Sequence, residues 1–203
     1  MRKNLILLML CAVCACAPSR SATKENYSSP QFVSGTGLEK TEPDRDAVRR
    51  IVLVYPNNGE KLDVVYYSDK HYDSAAMKKI NKLMRDRHSN NAGKIDPELI
   101  DFMVDIRKRL SLPETVPFQI LSGYRSAITN KRLAKKNKNV AKDSLHKYGW
   151  AVDFRIEGVN GKAICEIAKT MQRGGVAYYP KDNHVHVDLG NIRTWQEKRT
   201  RRK

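Results

Sequence analysis

The stretch "SLHKYGWAVDF" (residues 144–154) sets His146 and Asp153 seven residues apart in apolar surroundings, with Gly149 letting the chain turn between them. Beyond the glycine, "GWAVDFRI" reads as a strand in which Val152 and Phe154 alternate with Asp153. The acid therefore points away from the core side of a sheet. A second stretch, "HVHVDL" (residues 184–189), alternates in the same way. It puts His184, His186 and Asp188 on one face and Val185, Val187 and Leu189 on the other. The apolar faces can pack on helices while the polar faces open into a cleft. Joined, the two stretches offer His146, Asp153 and His186 as three convergent ligands. Two histidines and a carboxylate, with one position left for water, are a standard catalytic zinc set with bonds near 2.0–2.2 Å.

Each residue has an ordinary alternative. A lone strand histidine is usually a surface or satisfied core residue, and Asp153 could simply pair with Arg155 or Arg125. The concentration of three of the five histidines in these two segments shifts the balance toward a metal. His71 and His88 lie in polar surroundings and read as surface residues.

The neighbouring sequence supplies the scaffold. "RRIVLVYPNNGEKLDVVYYSD" holds two β-rich runs around Asn57-Asn58-Gly59, a hairpin signal. "DSAAMKKINKLMRDR" has Ala76, Ile80, Leu83 and Met84 at helical spacing behind Asp73 or Ser74 as cap. "DPELIDFMVDIRKRL" is a second helix, with Asp96 as N-cap and Pro97 in the first turn. Its buried stripe is Leu99, Phe102, Met103, Ile106 and Leu110. "PFQILSGY" is a strand stopping at Gly123, "SAITNKRLAKK" is helical, and "GKAICEIAKTMQR" is a third clear helix. "GVAYYP" and "HVHVDLG" close the chain as two strands joined at Lys181-Asp182-Asn183. The predicted class is α+β, with a small antiparallel sheet carrying the metal site and packed against helices.

The N-terminus reads as an export signal. Met1-Arg2-Lys3 is basic, and the apolar run "NLILLMLCAV" is too short for a membrane span of about 20 residues. "VCAC" then resembles a bacterial lipobox, which implies a signal segment over 1–15 and lipidation of Cys16. Residues 16–45 are rich in Ser, Thr, Pro, Gly and charge and read as a flexible tether. The domain is expected over 46–196, followed by a basic tail over 197–203. Only Cys165 remains in the mature body, so no internal disulfide is available. In its amphipathic helix it reads as a small core hydrophobe.

The net charge of +16 favours polyanionic partners. The run "NKRLAKKNKNVAK" and the tail "EKRTRRK" carry much of the excess. A nucleic-acid binder would need exposed interleaved aromatics or a reading helix and an intracellular address, so nucleic acid is not an expected partner. Anionic cell-wall polymer and membrane head groups are the expected ones.

The pattern Ser144-x-His146-x-x-Gly149-x-Ala151-x-Asp153 resembles the first zinc motif of the LAS metallopeptidases: lysostaphin, the D-Ala-D-Ala peptidases and sonic hedgehog. "GEKLDVVYYSDKHYD", "INKLMRDRH", "IDPELIDFM", "SGYRSAITN", "SLHKYGWAVDFRI" and "GGVAYYPKDNHVHVDLGNIRTW" follow in the order of YcbK-like, MepK-type murein endopeptidases, over roughly residues 50–195. The resemblance implies a LAS/hedgehog-like fold and a monomeric zinc enzyme cleaving peptide cross-links in peptidoglycan. It would be lipid-anchored on the periplasmic side of the cell envelope. His146, Asp153 and His186 match the zinc ligands. Arg125 in "SGYRS" matches the arginine that faces substrate, giving it a catalytic and a substrate-binding role, and Ser144 joins it in substrate binding. Many relatives carry a Glu three residues before the last ligand, where this chain has Asn183. His184 matches the assisting histidine of lysostaphin-like HxH motifs and is ranked first as general base, with Asp188 second. Two other readings are a D,D- or L,D-carboxypeptidase trimming stem peptides and a non-catalytic wall-binding lipoprotein.

Overall fold

A computed structural model describes residues 48–138 and 140–196. The expected signal segment 1–15, Cys16, the tether up to residue 45 and the basic tail 197–203 lie outside the described residues. β1 (Arg49–Tyr55) and β2 (Glu60–Ser68) form the expected antiparallel hairpin. Gly59 takes the left-handed conformation in its turn, with φ +71°. The two-residue β3 (His71–Tyr72) folds back on β2. α1 (Ser74–Leu83) starts where the Asp73 carboxylate accepts the Ala76 N–H at 2.7 Å. α2 (Pro97–Arg109) starts at Asp96, whose side chain accepts the Glu98 N–H, with Pro97 in the first turn. These acids satisfy helix-end donors that would otherwise lack partners.

β4 (Phe118–Ser122) leads to α3 (Ala127–Lys136), capped by Ser126. A short 3₁₀ helix over Leu145–Tyr148 precedes β5 (Ala151–Ile156). α4 (Gly161–Thr170), β6 (Gly175–Tyr179), β7 (His184–Asp188) and β8 (Arg193–Gln196) complete the described chain.

The α+β class holds, but the sheet is neither small nor purely antiparallel. It has eight strands in the order β3-β2-β1-β4-β5-β7-β6-β8. β1 runs parallel to β4, and β6 runs parallel to β8. Helices separate the hairpin from β4, and a helical crossover can deliver the next strand in either direction, whereas a tight turn enforces reversal. At the other end, β8 follows β7 through a short turn and so opposes it. It then lies beside β6, which also opposes β7, and the two are parallel by necessity.

Helices α1, α2 and α4 cover one face of this sheet. Ile51, Leu53, Phe118, Ile120, Val152, Phe154, Val185 and Val187 meet the apolar stripes of those helices there. All five residues of the expected α2 stripe are buried. Cys165 is 1% exposed in α4, and burial pushes its thiol pKa up, so it packs as a small hydrophobe. Behind β1, Arg49 pairs with Asp101 at 2.8 Å and with Asp105, while Tyr66 donates to Asp101 at 2.8 Å. This network ties the hairpin to α2.

α3 differs from the other helices. It buries only Thr129 and Asn130, and Ile128 stands 82% exposed. Its first turn is held by polar contacts: Ser126 Oγ accepts the Thr129 N–H, and the Asn130 amide donates to the carbonyls of Ala141 and Lys142. Among the described residues, no helix is long and apolar enough to cross a membrane.

Candidate metal centre

β5 and β7 are hydrogen-bonded neighbours, with Asp153 directly opposite His186. Strand alternation turns both side chains to the face that the helices leave uncovered. His146 comes from the 3₁₀ helix, which ends at Gly149 with φ +71°. A Cβ at Gly149 would run into the Lys94 carbonyl oxygen, so glycine is required there both for the turn and for the close approach. The chain then reverses into β5, and the two motif residues meet in space.

His146 is 3% exposed, and its Nδ1–H donates to the Gly123 carbonyl at 2.7 Å. That bond leaves Nε2 pointing at Asp153 Oδ2, 3.4 Å away. His186 Nδ1 lies 2.8 Å from Asp153 Oδ1. One ligand atom from each of the three residues lies within 4.8 Å of the other two. An ion with bonds near 2.0–2.2 Å draws such a set together with small side-chain shifts. The donor chemistry of two imidazoles and a carboxylate turned toward one point therefore fits zinc.

Asp188 stands behind His186 and is fully buried. Its Oδ1 accepts the Gly175 and Gly190 N–H groups at 3.0 and 2.9 Å. Arg193 grips both oxygens, at 3.0 and 2.7 Å. Oδ2 also accepts His186 Nε2–H at 2.9 Å. The face carrying His184, His186 and Asp188 is thus open at one end and closed at the other, because β8 brings Arg193 over Asp188.

The electrostatics favour a cation. Burial raises the Asp153 carboxyl, but His146 and then His186 outweigh it and hold it well below the usual range. Burial lowers His186, but its hydrogen bonds to Asp153 and Asp188 prevail and push it up to about 9. Burial lowers His146. Burial likewise raises Asp188, yet His186 and Arg193 bring it down overall. Two ionised carboxylates thus bracket one imidazole, an arrangement that draws positive charge.

A cleft of about 510 Å³ opens on this centre, with Arg125, Ser144, Tyr179, His184 and Trp195 in its walls. His184 stacks on Tyr179, the cross-strand partner on β6, at 4.5 Å between centroids and 4° between planes. Trp195 of β8 lies 5.1 Å from His186, and its Nε1–H donates to Tyr179 Oη at 3.2 Å. Arg125 donates to Ser122 Oγ at 3.0 Å and lies 3.9 Å from Asp153 Oδ2. Arg155, the other possible partner of Asp153, donates to Gln119 instead. The Ser144 carbonyl accepts the Lys147 N–H at the start of the 3₁₀ helix. Asn183 accepts the Gly161 N–H at 2.8 Å and donates to the Val159 carbonyl, fixing the β6–β7 turn to the start of α4. His71 and His88 are exposed and stand outside the cluster.

Sequence reasoning missed Tyr179, Trp195, Arg193 and the Gly123 carbonyl. "RTWQ" alternates too briefly to announce a strand, and a carbonyl leaves no mark in the residue type.

The family model described as "Peptidoglycan L,D-endopeptidase MepK" matches residues 44–195. The chain belongs to this family. The MepK match runs through the whole centre, from Arg125 to Trp195. The "Probable peptidoglycan L,D-endopeptidase MepK" of Haemophilus influenzae is 39% identical over 140 residues, which is 69% of this chain and 75% of the relative. The "Peptidoglycan L,D-endopeptidase MepK" of Escherichia coli K12 is 37% identical over 147 residues, 72% of this chain and 80% of the relative.

Proposed function

We infer that the chain is a hydrolase of peptide cross-links in peptidoglycan, and we propose that it works with one zinc ion held by His146, Asp153 and His186. The observation that carries the reading is the convergence of three ligand atoms within 4.8 Å at the floor of the cleft, in a chain of the MepK family. Bound there, zinc supplies Lewis-acid polarisation of the scissile carbonyl and lowers the pKa of water into the neutral range.

The chain's own residues do the rest. The Gly123 carbonyl fixes the His146 tautomer, and Asp188, clamped by Arg193, fixes that of His186. His184, on the open part of the same strand face, takes the proton of the attacking water and returns it to the leaving amine. Arg125 steadies the oxygen of the scissile carbonyl as negative charge develops, and it also orients substrate carboxylates. Ser144, in the same wall, contributes to substrate binding. The L,D bond named for the relatives is the proposed point of cleavage. We further propose a monomer tethered through a lipid on Cys16 on the periplasmic side of the envelope.

Digestion of purified cross-linked muropeptides, followed by mass spectrometry, tests the activity. Cross-linked dimers should disappear, the loss should stop with chelator, and zinc should restore it. Alanine at His146, Asp153 or His186 should remove both metal and activity while the far-ultraviolet circular dichroism persists. Full hydrolysis by metal-free wild type would overturn the zinc assignment. Labelling with a fatty-acid analogue tests the anchor, and label persisting in Cys16→Ala would refute it.

A further inference from the structure

Residues 127–138 and 140–142 form an exposed basic ridge that the chemistry of the metal centre does not use. They hold Lys131, Arg132, Lys135, Lys136, Lys138 and Lys142, with no acidic residue between them. All six are exposed, and among the described residues none is in an ion pair. Residues 48–196 carry 27 Lys and Arg against 16 Asp and Glu, so this short ridge holds six of a surplus of eleven. Lys131 and Lys135, like Arg132 and Lys136, stand one helical turn apart, where like charges repel and weaken a helix. α3 buries only Thr129 and Asn130 in compensation. A self-repelling helix with so little packing gains free energy whenever an anion neutralises it.

The ridge also has a definite place. Its C-terminal part, through Asn137, Val140 and Ala141, forms one wall of the cleft that holds His146 and Asp153. Thr129 and Leu133 of α3 line a second hollow of about 370 Å³, which shares Arg125 with the first. Lys136, Lys138 and Lys142 are direct chain neighbours of these wall residues, so a polymer leaving the cleft past this wall runs beside cations.

We propose that this ridge, α3 and the cations that follow it to Lys142, is a docking surface for the carboxylate-bearing stem peptides that neighbour the cross-link being cut. This rests on the reading of the cleft as a peptidoglycan site. The ridge holds the enzyme on an insoluble anionic network by many weak, screened contacts, so that it moves between cross-links without releasing the wall. Small soluble fragments, which offer few carboxylates beyond the bond itself, do not depend on it.

The test uses the full chain with Lys131, Arg132, Lys135 and Lys136 all changed to Gln, and a control with Lys78, Lys79 and Lys82 of α1 changed to Gln. Co-sedimentation with intact peptidoglycan, with chelator present so that nothing is cut, reads docking alone. The ridge variant should bind about tenfold more weakly at ~0.01 M salt, and wild type should lose the same affinity as salt rises to ~0.15 M. The α1 control should bind like wild type. With zinc, the ridge variant should cut a soluble cross-linked muropeptide at the wild-type rate and intact wall more slowly. Equal wall binding by ridge variant and wild type overturns the proposal. So does a loss confined to vesicles of anionic phospholipid, with wall binding unchanged. Failure of wild type to cut the soluble muropeptide would instead strike the proposed activity, and the binding result would stand apart from it.

Discussion

His186 has a carboxylate at each ring nitrogen, and the surroundings of those carboxylates divide their work. Asp153 is partly open to the cleft and shared with His146, whereas Asp188 is buried and already accepts from two backbone N–H groups and Arg193. At the proposed zinc site, a carboxylate so fully engaged is suited to orienting a ligand rather than to shuttling protons. Asp188→Asn is therefore expected to weaken zinc binding by about 10–100-fold, read by competition with a chelating dye. His184→Ala should leave zinc affinity in place and lower turnover by a factor on the order of 10²–10⁴. A fully active His184→Phe beside a zinc-loaded but inactive Asp188→Asn would reverse the two assignments.

The 3₁₀ helix over 145–148 carries His146, a proposed zinc ligand, on only four residues, and its direction depends on how it ends. Gly149 supplies a left-handed φ, its carbonyl accepts the Asp96 N–H at 3.1 Å, and the Trp150 N–H returns to the Leu145 carbonyl. Gly149→Ala combines backbone strain of about 1–3 kcal/mol with a side chain pressed onto Lys94. The expected result is a lower denaturant midpoint together with weaker zinc binding, because the shift is passed to His146. Unchanged stability would mean that the 94–96 segment yields easily. Asn183 is the corresponding anchor for the β6–β7 turn. Its contacts with Val159 and Gly161 give Asn183 a packing role in this chain.

Across the whole molecule, the hairpin and the segment after α1 are joined by charge. The hydrogen bond from Arg87 lowers the Glu60 carboxyl, burial opposes it, and Arg85 adds to the lowering, so its pKa falls to about 2. The folded state therefore binds fewer protons than the unfolded chain between the ordinary glutamate range and pH 2. This contribution to stability is complete above pH ~4.5 and is lost as the pH falls toward 2. Denaturation at a series of acid pH values should show that slope, and Glu60→Gln should flatten it. An identical slope in the variant would assign acid lability to other carboxylates, Asp86 among them, whose hydrogen bonds with Ser126 also hold it low against burial.

The alternation of "GWAVDFRI" and "HVHVDL" alone determined that two strands would turn valines to a core and histidine and aspartate to the opposite face. Period-two geometry is local, so it can be read without the fold. The helix cap at Asp96, and one at Asp73 or Ser74, were legible for the same reason, since a cap depends on neighbours three residues away at most; the structure chose Asp73 and added Ser126. What only the tertiary structure decided was pairing between distant segments. It set Asp153 opposite His186, brought β8 beside β6, put Arg193 on Asp188 and raised an aromatic wall of Tyr179 and Trp195 at the cleft. Strand order and direction depend on how helices close over a shared core, and no residue pattern within one segment encodes the partner it will meet.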